Sequence, residues 1–372
     1  MTGTTTQAAT TRPAKREIEL DFVRGIAILM VVDFHSPRPT LLWPFLRMGW
    51  GHFGWAGVDI FFVLSGFLVG GLLVKEWKLR GSIQRKRFLV RRGFKIWPQY
   101  YAFLLLTLIT GHRSLRELWG NLLNIQNYVG GVAHTWTLAL EEHAYLLLVF
   151  LLAFCAGRQA RVRTVFFSVA ALAAAVVAWR FTLAAHGVST TERTDTRVDG
   201  ILYGVLLAML YHFAPGRFRR LQQLRPVYFA VILATLLYLR FQVGAWWDPP
   251  LQYLLLDACG VSVLMLLYRH REHARRGVLY RAIAWVGLYS YGIYLWHIAP
   301  VAGVIALSRH LHGAWSEAAL TLLPMLAALV VGVVMTKAIE LPALALRDRL
   351  FPKPVDSAVG EPALREAARP AR

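Results

Sequence analysis

The stretch Asp21-Phe-Val-Arg24-Gly-Ile-Ala-Ile-Leu-Met-Val-Val-Asp33-Phe-His35 is the segment from which the fold of this chain is best read. It has the apolar character of a membrane helix, yet it contains both an arginine and a histidine. The eleven steps between them make about three helical turns, so Arg24 and His35 share one face, about 16 Å apart along the axis. Ionisable groups inside a membrane usually face a protein interior or a wet cavity. The alternative is that Arg24 snorkels to the head groups and His35 only ends the helix.

The composition indicates a membrane protein. Of the 372 residues, 56% are hydrophobic and only 17% are charged, whereas a soluble protein has about 25% charged residues. A net charge of +20 would suit a nucleic-acid-binding protein. The cations fall in short blocks between apolar runs, however. This distribution is typical of the charges that set the orientation of a membrane protein, so no nucleic-acid partner is expected. The two cysteines, Cys155 and Cys259, lie in apolar segments without metal-ligand spacing, so no metal is expected.

Hydropathy predicts an all-α fold, a polytopic transmembrane helical bundle embedded in the lipid bilayer. About ten spans are expected, at residues 19–36, 52–74, 95–111, 136–156, 164–184, 198–214, 226–243, 250–268, 282–306 and 317–345. With the N-terminus inside, the cytoplasmic loops between spans contain 20 lysines and arginines and the outer loops contain 7. This excess predicts that both termini are cytoplasmic.

One membrane domain is expected over residues 18–345. Residues 1–17 show no cleavage site of a signal peptide and are predicted to be a disordered N-terminal tail. Residues 346–372 are rich in Ala, Pro, Glu and Arg and are predicted to be a disordered cytoplasmic tail.

The second span contains a carboxylate and several small residues. Asp59 requires a cation from another segment, because no basic residue lies within a helical turn of it. Ser65 and Gly66 allow another backbone to approach closely, and ordinary helix packing is the alternative to a functional role.

The loop after the second span is the most basic of the chain. Arg91, Arg92 and Lys95 recur at spacings that place them along one helical face, which would flank the mouth of a cytoplasmic cavity. Such a cluster suits a polyanionic ligand, such as a nucleotide or a phosphorylated cofactor. The alternative is that these cations anchor the loop to anionic lipid.

Further polar residues lie at the ends of later spans. The segment from His134 to Tyr145 contains two adjacent carboxylates, and Glu141 shares a helical face with Tyr145. Arg197 and Asp199 open the sixth span, and a pair between them or with lipid head groups is the alternative to a functional role. A histidine inside a membrane span, such as His297, is energetically costly, which suggests a functional role.

Taken together, these stretches resemble the acyltransferase 3 family of multi-pass membrane acyltransferases over residues 18–345. The resemblance rests on several motifs in the family's order: Arg24 and His35 with ten residues between them, Phe61-Phe-Val-Leu-Ser65-Gly66-Phe-Leu68, Arg91-Arg92-x-x-Lys95 to Pro98, Trp136-Thr-Leu-Ala-Leu-Glu141-Glu142, Arg197-Val-Asp199-Gly200, and Ser290-Tyr-Gly-Ile-Tyr294-Leu-Trp-His297. The sequence departs from the family's pattern at Thr137, Lys95 and His143-Ala144.

The resemblance implies transfer of an acyl group, often acetyl, from acyl-CoA to a hydroxyl of a carbohydrate, glycolipid or secondary metabolite. It implies a multi-pass protein of the inner (plasma) membrane with acetyl-CoA as donor co-substrate. His35 is predicted to be the general base, and Glu141 to orient it and stabilise its charged form. The donor is assigned to Arg24, Ser65, Arg91, Arg92 and Lys95, and the acceptor to Trp136, Asp199, Tyr294 and His297.

A different class of function also accommodates the intramembrane charges. A transporter or flippase of a glycolipid or small molecule would use them as a proton relay. Binding of acetyl-CoA separates the two, because a transporter has no need of it. A non-catalytic scaffold leaves the buried charges unexplained.

Overall fold

The computed structural model describes residues 17–36, 53–242, 244–268, 277–310 and 314–352. Within these ranges the chain is helical and contains no strand, which confirms the predicted all-α class. Most of the two predicted tails, residues 1–16 and 353–372, lies outside the described residues.

The first half of the chain combines long apolar helices with several short ones. Its helices are α1 (Ile18–His35), α2 (Gly57–Ser65), α3 (Gly71–Arg80), α4 (Arg85–Ile109), α5 (Leu115–Leu122), α6 (Gln126–Val129), α7 (Trp136–Gly157) and α8 (Val162–Ala185). A π-helical turn, Gly66–Gly70, joins α2 to α3 without a break. Ser114 begins α5 with a capping box, and its backbone and side-chain hydrogen bonds lower the pKa of Glu117 to about 2.

The second half continues the bundle. Its helices are α9 (Thr194–Arg197), α10 (Asp199–Phe213), α11 (Pro215–Gln222), α12 (Arg225–Arg240), α13 (Asp248–Leu267), α14 (Val278–Leu288), α15 (Ser290–Trp296), α16 (Ile298–Ser308), α17 (Ala314–Met335) and α18 (Leu341–Leu350). A second π-helical turn, Thr336–Glu340, joins α17 to α18. The final helix extends beyond the predicted domain end at residue 345, because Asp348 pairs with Arg91 and Phe351 packs on Phe94.

All ten predicted spans coincide with helices, but fewer qualify as membrane spans. Among the described residues, five stretches are long and apolar enough to cross a membrane: Gly54–Arg80, Ala133–Gly157, Val162–Ala185, Asp248–Leu267 and Leu322–Leu350. The number becomes seven if each of two bent pairs, α10 with α11 and α15 with α16, forms one span. The count of about ten spans and the orientation of the termini stay predictions.

Helix α1 is packed on several sides by other helices. It contacts α2, α13, α14, α15 and α17, and its face with Ala27, Ile28, Val31 and Val32 is buried. Two glycines set its approach to α14. A Cβ on Gly25 would lie 2.0 Å from the carbonyl oxygen of Ile283, and one on Gly287 would lie 1.8 Å from that of Asp21. The charged helix α1 is thereby enclosed by protein.

The predicted ninth span, residues 282–306, is not one continuous helix. It is divided into α14, α15 and α16, and α15 and α16 meet at an angle of 52° around His297. Pro300 explains the bend, because proline lacks the N–H that would pair with the carbonyl four residues earlier and its ring clashes with that carbonyl.

Candidate active site

A cavity of about 220 Å³ lies between α1, α2, α4, α7, α14 and α15. Six of the residues predicted to form the functional site line it: Arg24, Ser65, Arg92, Lys95, Glu141 and Tyr294. Large apolar side chains such as Phe61, Leu68 and Leu138 form other parts of its wall. The cavity therefore combines an apolar interior with a small set of charged and hydroxyl groups, the usual character of a small-molecule site.

Three cations line the cavity, and two of them have carboxylate partners. Arg24 pairs with Asp21 at 3.3 Å. Lys95 pairs with the buried Glu340, whose other carboxylate oxygen accepts a 2.8 Å hydrogen bond from Gln99. Glu340 ends the π-helical turn Thr336–Glu340. These carboxylates offset much of the positive charge that the sequence places here.

Arg92 is different, because its guanidinium has no ion-pair partner among the described residues. It lies over the ring of Tyr145, with its guanidinium carbon 4.3 Å from the ring centre. Its Nε atom is buried and has no hydrogen-bond partner. Arg91, in contrast, does not line the cavity and lies 3.4 Å from Asp348. The predicted row of three cations is therefore divided, with Arg92 and Lys95 at the cavity and Arg91 at the surface helix α18.

A chain of hydrogen bonds connects three residues of the cavity wall. The hydroxyl of Tyr145 donates to Glu141 Oε2 at 2.7 Å, which confirms that these residues share a helical face. The hydroxyl of Ser65 lies 2.5 Å from that of Tyr145 and donates to it when Tyr145 donates to Glu141. Gly66 does not line the cavity, because it packs against the backbone of Ile201.

A group of three histidines lies beyond the cavity wall. Nε2 of the buried His297 is 3.3 Å from Nδ1 of the exposed His35, at the end of α1. The ring centre of the buried His134 is 5.4 Å from that of His297. Tyr294 connects this group to the cavity, since its hydroxyl donates to the backbone oxygen of His134 at 2.5 Å. Within the described ranges, no group of His, Cys, Asp or Glu side chains has the arrangement of a metal site.

The predicted contact between Glu141 and His35 is absent. Glu141 accepts its hydrogen bond from Tyr145 on its own helix, and His35 contacts the backbone oxygen of Val31 and the ring of His297. The structure therefore shows no hydrogen bond through which Glu141 could orient His35 directly. The sequence order of the motifs does not show which polar side chains meet, and His297 is the group found beside His35.

Two buried ion pairs occupy a separate place in the bundle. Arg197 pairs with Asp59 at 2.5 Å, and Arg180 pairs with Asp199 at 2.9 Å. The prediction that Asp59 has a partner on another segment is confirmed. The alternative in which Arg197 and Asp199 pair with each other or with head groups does not hold, because each has a different buried partner. Trp136 packs near this group, with its ring centre 5.5 Å from the Arg197 guanidinium carbon. Trp136 and Asp199 thus lie among buried charges, outside the lining of the cavity.

The sequence indicates Tyr145 only through its spacing from Glu141 and assigns no role to His134. The i, i+4 spacing from Glu141 was the available signal for Tyr145. His134 had no such signal, because its neighbours His297 and Leu295 are more than 150 residues away in the sequence. His143 does not contact either glutamate through a hydrogen bond and lies 2.8 Å from the hydroxyl of Thr194.

Comparisons with known proteins agree with the motifs. The chain is 26% identical over 326 residues to the peptidoglycan O-acetyltransferase OatA of Listeria monocytogenes, which covers 77% of this chain and 50% of the relative. It is 24% identical to YrhL of Bacillus subtilis, a candidate peptidoglycan O-acetyltransferase, over 75% of this chain and 47% of the relative. A candidate O-acetyltransferase of Staphylococcus aureus is 23% identical, with shares of 77% and 50%.

The chain spans about half the length of these relatives. No solved structure matches it. The family model described as "Acyltransferase domain", of the acyltransferase 3 type, matches residues 17–337, which include every residue assigned to the cavity and to the histidine group. The chain belongs to this acyltransferase family.

Proposed function

We propose that the protein is an O-acyltransferase of the plasma membrane. In this proposal it moves an acyl group, most simply acetyl, from acyl-CoA to a hydroxyl of a carbohydrate, glycolipid or secondary metabolite. The family supplies the class of reaction, and the O-acetyltransferase relatives support acetyl as the group transferred. The basic loops would face the cytoplasm, where acyl-CoA is available.

The observation that carries the donor assignment is the guanidinium of Arg92 at the cavity, which has no ion-pair partner among the described residues. An arginine in an apolar, partly buried site gains most from an anion that can accept two hydrogen bonds, and a phosphate group has that geometry. Arg24 and Lys95 line the same cavity but already have carboxylate partners. We therefore assign the principal phosphate contact of acyl-CoA to Arg92.

The remaining cavity wall suits the arm of the donor. The arm of coenzyme A joins amide groups to methylene segments and ends in the thioester. The hydroxyls of Ser65 and Tyr145 offer polar contacts beside the apolar side chains of Phe61 and Leu138. An arm held at Arg92 and extended along the cavity would direct the thioester towards Tyr294, whose hydroxyl and carbonyl lead to the histidine group.

His35 is the residue we assign as general base. An imidazole nitrogen with a free lone pair can accept a proton from a hydroxyl, and the exposed position of His35 lets an acceptor approach. When the acceptor oxygen attacks the thioester carbonyl, its proton passes to His35. The C–S bond breaks, and the thiolate of coenzyme A regains a proton when His35 releases it.

The acceptor class is taken from the relatives. OatA of Listeria monocytogenes is named for peptidoglycan, a polymer rich in sugar hydroxyls. We extend only the chemistry to this chain, a hydroxyl on a carbohydrate or a comparable molecule. Mass spectrometry of glycans, lipids and small metabolites from a deletion strain would reveal the acceptor as a compound that loses one acyl mass.

The deciding experiment uses the purified full chain in lipid nanodiscs with radiolabelled acetyl-CoA. The expected results are saturable binding and slow release of coenzyme A, with label moved to an acceptor fraction from the same membrane. Absence of acetyl-CoA binding at millimolar concentration contradicts the proposal. Uptake of a glycolipid driven by a proton gradient, without use of acetyl-CoA, would identify the transporter alternative.

A further inference from the structure

The bend between α15 and α16 releases backbone carbonyl groups that a continuous helix would pair. The helical hydrogen bonds to the oxygens of Tyr294 and Leu295 are absent there, since the regular pattern stops at the N–H of His297 and resumes at that of Val301. Buried carbonyl groups without donors are costly, so other donors are expected to replace the missing ones.

Two histidine rings supply those donors. Nδ1 of His297 lies 2.6 Å from the oxygen of Tyr294, and Nε2 of His134 lies 3.1 Å from the oxygen of Leu295. A carbonyl oxygen only accepts, so each of these ring nitrogens carries its proton in the neutral ring. His297 therefore presents Nε2 as an acceptor, and this is the nitrogen that faces His35.

The same reasoning fixes the tautomer of His35. Its Nδ1 lies 2.9 Å from the oxygen of Val31, one helical turn earlier, and 3.3 Å from Nε2 of His297. Both neighbours are acceptors, so Nδ1 of His35 carries the proton and shares it between them. The other nitrogen, Nε2, then keeps its lone pair.

We infer that His297 is a positioning residue which holds His35 in the Nδ1–H tautomer, so that Nε2 of His35 is the nitrogen that takes the proton of the acceptor hydroxyl. The inference rests on the proposed function for its catalytic part. His297 thereby fills the place that a carboxylate fills behind a catalytic histidine, with a neutral acceptor in place of a charge. Its burial places it behind His35 and removes it from direct contact with a bulky acceptor.

Two substitutions at the same position separate positioning from packing. His297→Phe keeps a planar ring but has no acceptor, whereas His297→Gln has an amide oxygen that can reach the place of Nε2. With wild-type protein that consumes acetyl-CoA, we expect His297→Phe to lower kcat by about 10- to 100-fold, the usual effect of removing a residue that orients a functional histidine. KM for acetyl-CoA should change by less than about twofold in either variant, because His297 does not contact the donor in this proposal. His297→Gln should recover most of kcat.

A spectroscopic measurement tests the tautomer without activity. Solid-state NMR of the full chain with ¹⁵N-labelled histidine, in lipid, distinguishes protonated from unprotonated ring nitrogens, and subtraction of the spectrum of His35→Asn identifies the signals of His35. The wild type should show Nδ1–H at His35, and His297→Phe should show a mixture of tautomers.

The outcomes of the two measurements are distinct. If the wild type does not consume acetyl-CoA, the proposed function fails, while the NMR spectra still test the contact between His297 and His35. If His297→Phe keeps full kcat, or if His35 has the same tautomer in this variant as in the wild type, the inference is overturned. The inference is also overturned if His297→Gln loses as much kcat as His297→Phe and both variants give equally less folded protein. His297 would then have only a structural role.

Discussion

Arg197 and Asp59 form a buried ion pair with 2.5 Å between nitrogen and oxygen, although 138 positions separate them in the sequence. The pair joins α9 to α2, and the ring of Tyr253 lies 3.6 Å from the guanidinium carbon of Arg197. Both side chains are almost fully enclosed. The contact therefore fixes the position of the segment before α10 relative to the helix that leads to Ser65.

We expect Asp59→Ala to destabilise the protein by about 3–5 kcal/mol, because it leaves the Arg197 charge buried without its partner. Thermal unfolding in detergent, followed by fluorescence-detected size-exclusion chromatography, provides the measurement. The matched control is Arg113→Ala, which breaks the exposed pair with Glu117 at 2.9 Å. An exposed pair contributes about 0–1 kcal/mol. Equal melting temperatures for the two variants would contradict this prediction.

Helix positions could be predicted from the sequence, whereas most contacts between side chains could not. Apolar runs identify the helices, because a segment inside a membrane must pair its own backbone N–H and C=O groups. That requirement depends only on the local sequence. The partner of Asp59 depends on how α2, α9 and α13 pack, which no local pattern records. The sequence could only indicate that Asp59 needed a cation from elsewhere.

The candidate site shows the same division. Six of the residues predicted from the motifs line one cavity, because different spans pack side by side in the bundle. The contact of His35 with His297 joins positions 262 residues apart and depends on the bend before Pro300. That proline is visible in the sequence, but the loss of the helical hydrogen bonds to Tyr294 and Leu295 at the bend becomes apparent only from the three-dimensional arrangement.

The charged group around Asp199 contains one carboxylate more than its cations can match. Asp257 is buried near Asp59, Asp199 and the two arginines, but no ion pair to it is present among the described residues. We expect Asp257→Asn to leave the melting temperature within a few degrees of the wild type, because no ion pair is lost. Asp199→Asn breaks the contact with Arg180 and should lower the melting temperature strongly. If Asp257→Asn is the more damaging variant, the assignment of the pairs is wrong.

Gly66 is expected to be required for packing and not for its flexibility. A Cβ there would lie 1.9 Å from the carbonyl oxygen of Ile201, so Gly66→Ala must displace α10 from the π-helical turn. Such crowding costs about 1–3 kcal/mol. Gly157→Ala is the matched control, since nothing lies within 4 Å of its added Cβ. Thermal unfolding should show a loss for Gly66→Ala and little change for Gly157→Ala, and a reversed order would contradict the packing.

The two adjacent arginines of α4 are expected to differ in donor binding. Arg92→Ala removes the cavity cation that has no ion-pair partner in the described part of the chain. Charge-assisted hydrogen bonds of about 1.5–3 kcal/mol correspond to a Kd for acetyl-CoA weakened by roughly 10- to 100-fold. Arg91→Ala affects a pair with Asp348 outside the cavity and should change the Kd by less than about threefold, the range of a weak surface pair. Isothermal titration in nanodiscs measures both. A larger loss for Arg91→Ala would transfer the phosphate contact to the surface of α4.

His35→Ala tests the catalytic assignment with a small risk to the fold. The side chain of His35 is exposed at the end of α1, so its removal leaves the buried face of that helix intact. We expect acetyl transfer to fall by about 10²- to 10⁴-fold, the usual contribution of a general base, while the Kd for acetyl-CoA and the melting temperature stay close to those of the wild type. Transfer is measured as release of coenzyme A in the presence of acceptor. Because Glu141 contacts Tyr145 and not His35, Glu141→Gln should not reproduce this profile and should instead weaken donor binding through the cavity wall. Full transfer by His35→Ala would assign the base to another residue, and the histidine group would then have only a structural role.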